Sequence, residues 1–136
     1  MKRTRIALGL IAAVMSVQQA WAETPADFLR TFETSARQEA PGFAGFSAAR
    51  GESFFKNTHG SDWSCASCHT LRPTQPGKHV KTDKAIDPLA PAASPARFTQ
   101  PAKVAKWFKR NCNDVLNRAC TAQEQGDVLT YLMSLK

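Results

Sequence analysis

This chain lacks a second C-x-x-C pair and any H-x₃₋₅-H pair, which removes the zinc ribbon and the zinc finger as readings. It lacks a βαβ pattern around its cysteines, which removes a thioredoxin-like dithiol. No apolar run has the length of a convincing membrane span. There is no internal repeat, no low-complexity tract and no inter-domain linker. Acidic residues are the scarcer charge, 11 against 18 Lys and Arg, for a formal net charge of +7. That excess is too small to argue for nucleic acid as a partner. Methionine is scarce as well, with three residues, two of them within the first 15 positions.

What the chain does have is Cys65-Ala66-Ser67-Cys68-His69. C-x-x-C-H is the attachment signature of a c-type haem. Two thiols separated by two residues have the reach, along one local turn, to form thioethers with the two haem vinyl groups. The adjacent imidazole is then held under the iron as its proximal ligand. The expected cofactor is therefore one covalent haem c on Cys65 and Cys68, with His69 as the proximal iron ligand.

The N-terminus agrees with that chemistry. Lys2, Arg3 and Arg5 form a basic start, Ile6 to Val17 a short apolar stretch, and Ala20-Trp21-Ala22 an A-x-A cleavage site. Residues 1–22 read as a secretory signal peptide and residues 23–136 as a single monohaem cytochrome c domain. The competing reading is an uncleaved anchor. Loss of Lys2, Arg3 and Arg5 takes the net charge from +7 to +4. The expected location is the periplasm, where a disulfide persists, with peripheral membrane contact or none.

The rest reads as helices and one long loop. Thr24-Pro25-Ala26-Asp27 is a helix start, with a capping hydroxyl, Pro at the first helical position and an acid at the positive end. Phe28, Leu29 and Phe32 give this helix an apolar stripe, and Pro41-Gly42 ends it. A second helix begins near Ser47 and carries Gly51, Phe54 and Phe55. A third runs from Pro101 to about Asn117. The last starts at Thr121, where Thr121 and Glu124 fit a capping box, and buries Val128, Leu129, Leu132 and Leu135. Between His69 and the third helix lies a Pro-rich segment, Leu71 to Gln100, in which regular structure is not expected. A haem supplies the core that such a loop lacks, through Ile86, Leu89 and Phe98. The order of Gly plus aromatics, C-x-x-C-H and a C-terminal amphipathic helix resembles class I cytochromes c. The expected fold is all-α, with helices wrapped around one covalent haem and a long Pro-rich loop; in that family Gly51 would permit close approach to the last helix.

The sixth iron position is the open question. Met1 and Met15 belong to the signal, and Met133 lies in the last helix beside residues that read as core packing, so a Met ligand is not expected. His59 lies in a polar turn and His79 in a lysine-rich loop, and each reads first as a solvated histidine. The third helix offers another donor. At about 100° per residue, Val104, Trp107, Phe108 and Val115 cluster on one face with Asn111 at its centre. Asn113 falls opposite, with Lys103, Lys106 and Lys109. An amide within an apolar stripe needs a partner, because burying it unpaired costs ~1–3 kcal/mol. That partner is either backbone or a haem propionate, or the iron. Cys112 and Cys120, left over from haem attachment, are expected to pair, as a staple between helices that would also restrain the Asn111 turn.

Arg110-Asn111-Cys112, the second cysteine eight residues on, and Lys84-Ala85-Ile86-Asp87-Pro88-Leu89-Ala90-Pro91 resemble the sphaeroides haem protein family, which is related to cytochrome c″. The resemblance implies Asn111 as a distal iron ligand that leaves on reduction, beside a Cys112–Cys120 disulfide. It also implies oxygen or nitric oxide as the gas bound by the reduced state. The partner it implies is a dihaem cytochrome c. The alternative from the residues is a plain electron-transfer cytochrome with permanent His69 and His79 ligation. Oxygen or nitric oxide turnover at the haem has no separate signature in the sequence.

Overall fold

The computed structural model describes residues 22–136. The segment expected to be a signal peptide, residues 1–22, lies outside the described residues apart from Ala22. Five helices, α1 (Pro25–Glu39), α2 (Ala48–Lys56), α3 (Cys65–His69), α4 (Pro101–Leu116) and α5 (Ala122–Ser134), account for nearly all the regular structure, as an all-α cytochrome fold requires.

Each long helix starts where its chemistry places it. Thr24 caps α1 by a reciprocal pair: its hydroxyl accepts from the Asp27 N–H, and the Asp27 carboxylate accepts from the Thr24 N–H. Ser47 caps α2, its hydroxyl accepting from the Arg50 N–H at 3.3 Å. Thr121 and Glu124 close the same box on α5. The α4 helix stops at Asn117, whose left-handed backbone (φ 55°) satisfies the C-terminal turn.

Both α1 and α2 pack on α5. The α2–α5 crossing is centred on Gly51 and is pinned at one side by Asp127. That carboxylate is 5% exposed and accepts from the Ser47 N–H at 2.7 Å and from Arg50 Nε and Nη2 at 2.8 and 2.9 Å. A carboxylate this buried needs such partners, since leaving it short of one costs about 1–3 kcal/mol. Phe55, Val128, Tyr131 and Leu132 form the main cluster, and Phe28, Val104 and Leu129 a second. Phe55, Leu129 and Leu132 are fully buried, so trimming either leucine to Ala costs about 2–5 kcal/mol.

The Pro-rich segment differs from expectation in one respect. Gly77–Lys78 pairs antiparallel with Ala85–Ile86, as β1 and β2, in a two-residue ladder. No proline falls on either strand, so the ladder donors survive. Elsewhere the loop is held by single backbone bonds: Leu89 and Ala90 N–H both donate to the Pro73 carbonyl, at 2.9 and 3.0 Å. Leu89 and Phe98 reach the main cluster, and Ile86 is half-buried. Among the described residues no helix is long and apolar enough to cross a membrane.

Candidate functional site

The C-x-x-C-H residues make up the whole of α3. Ser64 precedes it, with its N–H donating to Ser67 Oγ at 2.9 Å. Thr70 ends it at φ 62°, ψ 165°, a region that costs a β-branched residue about 1–3 kcal/mol. The Thr70 hydroxyl holds that turn by donating to the Arg72 carbonyl at 2.8 Å and accepting from the Arg72 N–H at 3.1 Å. The chain is therefore forced sharply away directly after His69. Gly77 then packs under α3, where a β-carbon would lie 2.0 Å from the Cys68 carbonyl oxygen.

Cys65 and Cys68 are free thiols, half-buried and one turn apart. Burial pushes the Cys65 thiol up to about 11. His69 is half-buried beside them. Burial first, then the positive charges of Arg97 and His79, push its imidazole down to about 4. It is neutral at pH 7, with a lone pair to give, and its ring makes no hydrogen bond among the described residues. Fully buried Phe55 lies 6.4 Å from it, between it and Tyr131.

Above the same cluster lies α4. Cys65 and Ala66 from α3 and Phe108 from α4 all pack against Phe55, Val128, Tyr131 and Leu132. Phe108 also meets Phe32 of α1 edge-on at 5.7 Å. Val104 and Val115 are buried as the periodicity predicts. Trp107 is not part of that face. It is 45% exposed, with Lys106 and Arg110 each 5.6 Å from its ring. Its position, about 60° from Val104 around the helix, puts it at the rim, where cation–π contact is the available partner.

Asn111 is half-buried, one turn beyond Phe108, and its amide makes no hydrogen bond among the described residues. Its neighbour Cys112 is buried and forms a disulfide with Cys120. The bond closes a short loop between α4 and α5, worth roughly 2–3 kcal/mol by loop-closure entropy. Asn113 is exposed with Lys103, Lys106 and Lys109.

The histidines separate. His59 is exposed; its Nε2 donates to the Phe54 carbonyl at 2.9 Å and its ring lies 4.4 Å from that of Phe54, tilted by 50°. His79 sits in the β1–β2 hairpin, its Nδ1 accepting from the Lys81 N–H at 3.2 Å. Met133 is 40% exposed on α5.

A family model described as a domain of unknown function (DUF1924) matches residues 41–132. The cytochrome c-type protein SHP of Cereibacter sphaeroides is 39% identical over 113 residues, covering 80% of this chain and 82% of its own. Cytochrome c″ of Methylophilus methylotrophus is 41% identical over 80 residues, covering 59% of this chain and 56% of its own. The chain belongs to the SHP and cytochrome c″ family. Its fold agrees: the structure of oxidised SHP, described as an oxygen-binding cytochrome c, superposes with a TM-score of 0.73 at 38% identity, over 83% of this chain and 98% of that one. Oxidised cytochrome c″ gives 0.73 at 33% identity, over 82% and 94%.

A cytochrome of this family binds haem c, and the residues present fit that group. Two free thiols stand one turn apart, an uncharged imidazole without a protein partner follows them, and both lie against an apolar cluster. Among the described residues no three His, Cys, Asp or Glu side chains gather into a bare-metal site. Two features of the site carry little signal in the sequence. One is the strained Thr70 turn. The other is Arg97, whose guanidinium donates to the Asp87 and Pro88 carbonyls, ten and nine residues earlier.

Proposed function

We propose that this is a periplasmic monohaem cytochrome that holds a redox-labile Asn111 at the distal iron position, binds a diatomic gas when reduced, and exchanges electrons with a redox partner. Cys65 and Cys68 would hold the haem as thioethers and His69 would be the proximal donor. When bound, that haem supplies an iron that cycles between ferric and ferrous states and can take up oxygen or nitric oxide.

The observation that carries the reading is Asn111 itself. A half-buried amide with no hydrogen bond among the described residues stands beside an apolar face, and the adjoining Cys112–Cys120 bond limits how far its turn can move. An amide oxygen is a hard, neutral and weak donor. Its hold is stronger toward a ferric than a ferrous centre, so Asn111 is suited to leave on reduction and swing back on oxidation. The Cys112–Cys120 tether would limit how far Asn111 could move between the two states. The named relatives support the gas: SHP is described as an oxygen-binding cytochrome c. A dihaem cytochrome c is the partner implied by the family resemblance.

A second reading is a plain electron carrier with a permanent pair of imidazoles, His69 and His79, the latter half-buried in the β1–β2 hairpin that packs on α3. Against it, His79 Nδ1 is tied into the hairpin turn. The optical spectrum of reduced protein with and without carbon monoxide separates the two. An open site shifts at once, and a site closed by His79 does not respond.

A further inference from the structure

Thr70, the residue directly after His69, adopts φ 62°, ψ 165°, a conformation that suits glycine and strains a β-branched residue. Its own side chain holds it there. The hydroxyl donates to the Arg72 carbonyl at 2.8 Å and accepts from the Arg72 N–H at 3.1 Å. The same carbonyl accepts from the Gln75 N–H at 2.8 Å, so the turn is closed twice at Arg72. Pro73, next along, is fully buried, and its carbonyl accepts from the Leu89 and Ala90 N–H groups. The chain leaving His69 therefore has little slack. The hairpin blocks the other side. A β-carbon on Gly77 would lie 3.1 Å from the His69 Cα as well as 2.0 Å from the Cys68 carbonyl oxygen, and Gly77 is itself fixed by its pairing with Ile86.

We propose that Thr70 is a positioning residue for the proximal imidazole. Its latched turn, with Gly77 behind, fixes the His69 backbone and so sets the plane in which the ring meets the iron. The inference rests on the reading of Cys65, Cys68 and His69 as the haem site. Metal ligands keep their orientation through groups outside the coordination sphere. Here the hold is on the backbone, since Cys68 before the histidine and Thr70 after it are both pinned. A strained conformation persists only where its surroundings over-determine it. The hydroxyl latch, the Gln75 bond and buried Pro73 supply that constraint at Thr70. A ring held in this way confines ligand exchange to the distal face.

The test is proton NMR of the reduced holoprotein under carbon monoxide, as wild type, Thr70→Ser and Thr70→Val, with amide exchange at Arg72 measured alongside. The His69 ring protons lie in the ring current of the haem, so their shifts report the tilt of the imidazole. Thr70→Val keeps the β-branch and removes the latch, so the His69 ring resonances should move. Its Arg72 N–H should exchange roughly fivefold faster, the worth of one ordinary hydrogen bond. Thr70→Ser keeps the hydroxyl and should hold the wild-type His69 shifts, with exchange within about twofold. If Thr70→Val fails to retain haem, Thr70→Gly takes its place with the same expectation, because glycine permits the turn but has no hydroxyl to latch it. A variant without the hydroxyl that keeps the wild-type His69 shifts overturns the proposal, even with faster exchange at Arg72, since the turn would then be structural alone. Ser and Val variants shifting alike also overturn it, since the latch would not be at work. Wild-type protein without covalent haem would sink the reading of the motif, and this proposal with it.

Discussion

The carbonyl oxygen of Asp127 occupies the space that a β-carbon on Gly51 would need: the two would lie 1.9 Å apart, with the Tyr131 β-carbon a further 3.0 Å contact. The α2–α5 crossing is as close as it is because residue 51 has no side chain. Gly51→Ala must push the helices apart or bend one of them. Its expected cost is at least ~2–3 kcal/mol, read as a lower denaturation midpoint of the haem-loaded protein. A variant as stable as the parent would show that the crossing is looser than described.

Glu124 ties the start of α5 to the disulfide loop. Burial raises its carboxyl, but hydrogen bonds from Arg118 and from the Thr121 N–H outweigh that and hold it below the usual carboxylate value. A carboxyl depressed on folding stabilises the fold above its unfolded pKa, and the contribution is lost as pH falls through the folded value. Glu124→Gln should therefore cost about 1 kcal/mol at pH 7. The gap to the parent should close as the pH is taken below about 4. Urea titrations at the two pH values check it; a gap that widens in acid contradicts the assignment.

Much of this fold is legible in the sequence because its signals are local. Thr24, Ser47 and Thr121 cap the helices expected of them, and Asn117 ends α4. Periodicity also finds Val128, Leu129 and Leu132. What it misses depends on distant partners. Trp107 fits the apolar stripe by angle but lies at its rim, held by Lys106 and Arg110. The β1–β2 ladder hides within a Pro-rich stretch because its four residues contain no proline. Arg97 has no pattern at all, since its acceptors are backbone carbonyls that any residue would present.

Lys103, Lys106 and Lys109 are all exposed on α4, and Asp114 is the acid there, within 4.0 Å of Arg110. If that face steers an acidic redox partner, electron transfer should slow as salt shortens the Debye length to ~10 Å at 0.1 M. Replacing the three lysines with Gln should lower the rate at low salt and flatten its salt dependence. Stopped-flow reduction by the partner across ionic strengths checks this; a rate indifferent to both salt and the three lysines removes the steering role.

His69 carries the heaviest demand on the site. With Cys65 and Cys68 intact, His69→Ala should still accept haem covalently, seen as added mass on the chain, yet lose the normal c-type spectrum. An unchanged spectrum would mean that another residue is the proximal donor.

The most direct measurement is the ferric spectrum and the carbon monoxide affinity of Asn111→Ala set beside those of His79→Ala. With Asn111 as the distal donor, Asn111→Ala opens the ferric site to water or added anions at little cost in haem content, while His79→Ala leaves both readouts as in the parent. Asn111→His should close the site with strong bis-imidazole ligation and weaken carbon monoxide binding. A spectrum and affinity indifferent to Asn111→Ala but altered by His79→Ala would contradict the account and leave a plain bis-histidine electron carrier in its place.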